Sequence, residues 1–213
     1  MTIELYVFPP SPRAFKVLVV ANHLALDYEM KLLNFRNRDQ TSASYSALNP
    51  NMRMPTLKHD DYVLWESNAI QQYLAVQKPE SSLLPKDEKA RIDVTRWQFW
   101  DLAHWDSQCA VFVYEHVVKP AFMGINEPDQ AALAKAEEAF HRAATVLNMQ
   151  LRDRMFVTGD NLTLADFCLG AVMNVSAAAR FPLEPYAEIR RWFKTLQALP
   201  AWQKTLTQSG TMS

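Results

Sequence analysis

The spacing of apolar positions divides the chain near residue 87. Before that point short alternating runs and short helical runs succeed one another; beyond it the apolar spacing is helical. Ile3 to Phe8 alternates, is rich in strand formers and stops at Pro9-Pro10. From Ser11-Pro12 to His23, Ala14, Phe15, Val17, Leu18, Val19 and Ala21 fall at helical spacing. Ser11 as N-cap with Pro12 at the first helical position is a favoured start. Tyr28 to Leu33 reads as a second strand, which implies a right-handed parallel crossover. Residues 35–51 are polar and irregular, with a short helix near Ser42–Ala47. Two short strands about a turn at Asp60-Asp61 follow, and a helix opens at Glu66-Ser67.

This order, β-α-β-α-β-β-α, predicts a compact domain over residues 1–77 with a mixed four-stranded sheet. Residues 78–86, polar and carrying Pro79 and Pro85, read as a linker, and 87–213 as an all-helical domain. A long aromatic helix is expected from Asp87 to about Val118, stopped at Lys119-Pro120, and an Ala-rich one from Pro128 to about Arg154. Leu162 to Phe167 has the form of a capping box, with Thr163 as N-cap, Asp166 reaching back, and Leu162 and Phe167 as the staple. That helix is expected to run to about Arg180, followed by two short helices and a loose tail from Thr207 to Ser213.

Composition mainly excludes. The 213 residues carry 22 Lys+Arg against 23 Asp+Glu, a net charge of −1, and neither half is basic, so no nucleic-acid footprint is expected. No apolar run is long enough for a membrane span, and the N-terminus lacks a signal-peptide pattern. Cys109 and Cys168 are too few for a disulfide framework and point to a reducing cytoplasm. The first of the 4 glycines is Gly124, so the early glycine-rich loop that cradles a nucleotide phosphate is absent. The 5 histidines are scattered, without metal-ligand spacing.

Candidate chemistry concentrates in residues 54–74. A proline opening a strand cannot donate to the ladder, and a cis bond there would turn the chain sharply. A helix N-terminus at Glu66-Ser67 directs unpaired N–H groups at whatever sits there, which suits a carboxylate or phosphate. Together they describe a grip on the backbone and an acidic group of a small peptide-like ligand. Trp97, Trp100, His104 and Gln108 form a stripe flanked by Trp105 and Phe112. Such stripes are more often core or interface than ligand pocket.

Four segments, Ser11-Pro12-Arg13-Ala14-Phe15-Lys16-Val17, Asn49-Pro50-Asn51-Met52-Arg53-Met54-Pro55, Trp65-Glu66-Ser67-Asn68-Ala69-Ile70 and Leu162–Phe167, in this order and spacing, resemble the cytosolic glutathione S-transferase family over essentially the whole chain. The likeness is nearest to bacterial enzymes allied to the theta, phi and nu classes, which use a serine or threonine near the N-terminus. The resemblance implies a thioredoxin-like N-terminal domain, an all-helical C-terminal domain and a homodimer. Two positions depart from the family pattern: Met52 stands where relatives often carry glycine, and Arg13 where several carry asparagine or a small polar residue.

On that resemblance glutathione is the co-substrate, without metal or nucleotide, and a small hydrophobic electrophile is the partner. Ser11 would donate its hydroxyl to the thiolate. Glu66 would pair with the ammonium and Ser67 hold the carboxylate of the γ-glutamyl end, while Met54 offers its backbone to the cysteinyl residue. Gln40 and Arg53 would meet the glycine carboxylate or nearby backbone. Trp105, Gln108 and Phe112 are candidates for an apolar pocket. His104, Cys109 and Cys168 read as structural residues. Two further readings stay open on this scaffold: a glutathione-dependent reductase of disulfides or peroxides, and a non-catalytic interaction protein.

Overall fold

The computed structural model describes residues 2–210, which form two compact units. The first runs to Leu84 and also takes in the last helix; the second spans Pro85–Gln197. The last helix therefore belongs with the first unit, although the sequence places it in the helical domain.

In the first unit β1 (Ile3–Val7), α1 (Pro12–His23), β2 (Tyr28–Leu32), α2 (Ala43–Leu48), β3 (Thr56–His59), β4 (Tyr62–Trp65) and α3 (Ser67–Val76) follow in the expected order. The strands lie as β2-β1-β3-β4, with β1 parallel to β2 and the other pairs antiparallel. This is a thioredoxin-like arrangement with a mixed sheet. Ile3, Leu5 and Val7 alternate with half-exposed neighbours and are buried, as are Leu18, Ile70 and Leu74 from α1 and α3. Ser11 caps α1: its hydroxyl accepts from the Arg13 N–H at 3.3 Å, and Pro12 takes the first position. The hairpin turns at Asp60, whose φ of 55° a short polar side chain tolerates.

The last helix, α9 (Pro200–Ser209), runs through Thr207–Ser209, where a loose tail is expected; residues 211–213 lie outside the described part. The reason is burial: Trp202 and Thr205 are fully covered, and α9 packs on α1.

The second unit is helical throughout. α4 (Glu88–Trp100), a π-helical turn (Asp101–Trp105), α5 (Asp106–Val113) and a second π-helical stretch (Tyr114–Met123) form one continuous rod. It passes the stop expected at Lys119-Pro120 and ends at Gly124, whose φ of 67° terminates it. The wider π turn lets Pro120, which has no N–H to give, sit inside the rod. α6 (Gln130–Gln150) follows, capped by Asp129. α7 (Leu164–Gly170) is shorter than expected, because a 3-10 stretch takes over at Ala171–Val175. α8 (Ala187–Gln197) closes the unit. Among the described residues no helix is long and apolar enough to cross a membrane.

Two polar anchors hold this unit. The capping box at Thr163 is present as expected, but Asp166 does more than cap. Its fully buried carboxylate accepts from the Thr163 N–H at 2.9 Å, the Val157 N–H at 2.8 Å and the Trp192 indole at 2.9 Å. Burial pushes its pKa up to about 6, against the pull of these donors. The second anchor is Glu115, which accepts from Lys119 at 2.7 Å and from the Asp129 N–H at 2.7 Å, tying the rod to the cap of α6. The Lys119 hydrogen bond, then that of Asp129, lowers its pKa. Cys109 and Cys168 are reduced and not disulfide-bonded, both fully buried in this unit.

Asp166→Ala leaves several buried donors unpaired at about 1–3 kcal/mol each. It should therefore lower stability by at least about 3 kcal/mol, read from the urea unfolding midpoint. A Glu115 pKa below its unfolded value stabilises the fold above that unfolded value and loses the contribution as pH falls through the folded one. Glu115→Gln should accordingly flatten the loss of stability as pH falls below the ordinary glutamate pKa of about 4.3, measured by denaturant midpoints along that acid limb. An unchanged acid limb would show that other carboxylates set it.

Candidate functional site

The strand register gathers the candidate residues of the first unit at one end of the sheet. Tyr6 of β1 pairs with Thr56 at the start of β3, and Thr56 pairs with Trp65 at the end of β4. The chain leaving β1 toward Ser11, the chain entering β3 through Met54-Pro55 and the chain leaving β4 into Glu66-Ser67 therefore share one edge, with neighbouring strands about 4.8 Å apart. Leu33, just after β2, donates its N–H to the Val7 carbonyl at 2.9 Å, which brings the segment carrying Gln40 to the same end.

Each element presents an unclaimed group there. The Ser11 hydroxyl accepts from Arg13, and its own proton goes to no partner among the described residues. The Met54-Pro55 bond is cis, and the Met54 N–H and carbonyl carry no hydrogen bond within the described residues. Glu66 holds φ 72° and ψ 113°, a conformation that costs a non-glycine residue about 1–3 kcal/mol and is concentrated at ligand clamps and active sites. Its carboxylate is exposed, and neither it nor the Ser67 hydroxyl has a protein partner among the described residues. Ser67 itself is 5 % exposed, at the first turn of α3, where backbone N–H groups have no intrahelical acceptor. Gln40 has its amide oxygen buried without a partner. The Arg53 side chain points to solvent.

The loop before Pro55 is held by a network that the sequence reading missed. The Arg53 carbonyl accepts from the Tyr45 hydroxyl at 2.7 Å and from the Asn49 amide at 2.7 Å. Asn49 also donates to the Thr56 hydroxyl at 3.1 Å, which lies 2.8 Å from the Tyr45 oxygen. With the Tyr45 proton on Arg53, the Thr56 proton completes the circuit to Tyr45. Burial raises the Tyr45 pKa, so the phenol stays a neutral donor. The signal was the pairing of Asn49-Pro50 with a hydroxyl at Thr56, one residue past Pro55. Met52 in the same loop has φ 52°, the left-handed region that glycine enters without cost, which explains why glycine suits this position.

The expected apolar pocket is not gathered as predicted. Trp105 is fully buried, donates its indole N–H to the Leu169 carbonyl at 3.1 Å and stacks on Phe140 at 5.1 Å. Phe112 packs on Phe140 and Phe181. Both are core residues of the helical unit. Gln108 instead lines a shallow concavity of about 340 Å³ with Trp100, His104 and Arg142. No cluster of metal-ligating side chains occurs among the described residues.

Comparison with known proteins identifies the family and the fold. Residues 1–76 match the glutathione S-transferase N-terminal domain and residues 106–200 the C-terminal domain of the same family. The chain is 30% identical to glutathione S-transferase D7 of Drosophila melanogaster over 210 residues, 96% of this chain and 88% of that protein. It is 27% identical to a glutathione S-transferase of Hyoscyamus muticus, covering 97% of this chain and 98% of the relative. A delta-class glutathione transferase of Nilaparvata lugens superposes with a TM-score of 0.83 at 29% identity, covering 97% and 94% of the two chains. The chain belongs to the glutathione S-transferase family.

Tyr45→Phe removes one donor from the Arg53 carbonyl. It should cost about 1 kcal/mol and speed amide exchange at Met52, whose N–H is held by the Asn49 carbonyl at 2.9 Å. Unchanged exchange at Met52 would mean that Asn49 alone holds the loop.

Proposed function

We propose that the chain is a glutathione transferase of the serine type that activates the glutathione thiol for attack on a small hydrophobic electrophile. The observation that carries this reading is Ser11. It caps α1 through its oxygen and keeps its proton for another acceptor, at the sheet end that also holds Met54 and Ser67. A thiol with an ordinary pKa near 8.5 is mostly protonated at neutral pH. One hydrogen bond to the thiolate contributes about 1.5–3 kcal/mol, equivalent to roughly one to two pKa units, and the N-terminus of α1 adds positive potential.

The remaining groups hold the tripeptide. Met54 pairs with the cysteinyl backbone as an added strand would. Ser67, with its hydroxyl and N–H, takes the γ-glutamyl carboxylate, and the exposed Glu66 carboxylate takes the ammonium. Gln40 and Arg53 lie with the glycine end. Both cysteines are buried in the helical unit, which supports chemistry run on the thiol of glutathione rather than of the protein. Ile92, Phe99 and Leu102 are exposed along one side of the rod, Phe99 by 69 %, and support a homodimer in which a second copy covers them. We place the protein in the cytoplasm, acting in detoxification.

Ser11→Ala should lower kcat/KM for conjugation of an aryl halide by about tenfold or more at neutral pH, and move its pH of half-maximal value upward by one to two units. Glutathione affinity, read by calorimetry, should change only a few-fold. Turnover equal to the parent would remove Ser11 from the reaction, and absence of glutathione binding by the parent would remove the function itself.

A further inference from the structure

The helix that begins at Ser11 is gripped by α9 at two places. Toward its start, Phe15 lies with its ring centroid 4.8 Å from that of Trp202, both buried. Toward its end, the Asn22 amide donates to the Thr205 hydroxyl at 2.8 Å and to the Gln208 carbonyl oxygen at 2.6 Å. Tyr28 closes this polar end, donating to Asn22 at 3.0 Å and accepting from Gln208 at 3.0 Å. Because Trp202 meets Phe15 and Thr205 meets Asn22, the two helices run in the same direction. The polar end fixes the lengthwise register and the aromatic end fixes the roll of the first turn.

That first turn starts short of intrahelical hydrogen bonds. Pro12 has no N–H, the Arg13 N–H is spent on the Ser11 side chain, and the Phe15 N–H makes the first helical bond, to the Ser11 carbonyl at 2.9 Å. Helix ends fray where no packing opposes it. The residue whose N–H holds Ser11 is thus the residue whose ring rests on Trp202. We propose that Trp202, far along the chain, is a positioning residue for Ser11: through Phe15 it fixes the first turn of α1 and so the direction of the Ser11 hydroxyl. The proposal rests on the role of Ser11 given above. A displacement of a reacting group by about 1 Å can cost on the order of a hundredfold in rate, so the lever is large enough to read.

The test compares W202L and W202F, alone and with S11A, in the full chain. W202L keeps an apolar side chain but removes the ring. It should lower kcat/KM at neutral pH by about tenfold and shift the pH profile upward, toward that of S11A. Glutathione affinity should hold within about threefold, since Met54, Glu66 and Ser67 are untouched. W202F, which keeps a ring, should fall between W202L and the parent. In the S11A background W202L should not move the pH profile further.

Amide exchange reads the same positioning without glutathione. In W202L exchange at Phe15 should accelerate more than at Leu24, whose N–H is held by Val20 at the other end of the helix. An unchanged pH profile and an unchanged Phe15-to-Leu24 ratio, even with a lower unfolding midpoint, would make Trp202 a packing residue only and overturn the proposal. If W202L does not fold, the ratio in W202F decides: a rise supports positioning and no change overturns it. If the parent neither binds nor turns over glutathione, the catalytic reading falls, while the exchange ratio still judges the mechanical link.

Discussion

The antiparallel register that sets Tyr6 against Thr56 and Thr56 against Trp65 is the constraint on which the candidate site depends. Three loops far apart in sequence reach one sheet edge only because these pairs are opposed. A slip of one residue would turn Leu57, now buried, to the other face and expose apolar area to water, so the hydrophobic pattern itself locks the register. Unclaimed groups at Ser11, Met54 and Ser67 thus converge as a by-product of burying a core, and their placement needs no contacts among themselves.

Two buried polar circuits then stiffen what the register positions. Asp166 gathers backbone and indole donors from three parts of the helical unit onto one carboxylate. Tyr45, Asn49 and Thr56 work with neutral groups and end on a single carbonyl. The charged circuit resists loss of any member strongly, since a buried ion or several stranded donors would remain. The neutral one is more forgiving, since loss of a member strands no buried charge.

Local signals were the legible ones. Ser11-Pro12, the turn at Asp60-Asp61 and the box at Thr163 and Asp166 each act within a few residues, and each stands where the sequence puts it. What was not legible depends on distant partners. Nothing near Pro120 announces a π turn; the contact that ties this stretch down is distant, Glu115 taking the Lys119 ammonium within the rod and the Asp129 N–H at the cap of α6. Trp105 and Phe112 leave a pocket open as the less common reading until Phe140 and Leu169 are brought against them. The tail from Thr207 looks loose because its residues are mostly polar, yet Gln208 bonds to Asn22 and Tyr28. Met52 carries a left-handed backbone that no local rule assigns to methionine.

The burial of Cys109 and Cys168 makes the two units unequal to a thiol reagent. Neither sulfur is reachable in the native fold, and both belong to the helical unit. Covalent labelling of the intact chain would therefore count openings of that unit alone, and be blind to openings confined to the sheet. The chain carries its own one-sided reporter of partial unfolding, with no engineered probe needed.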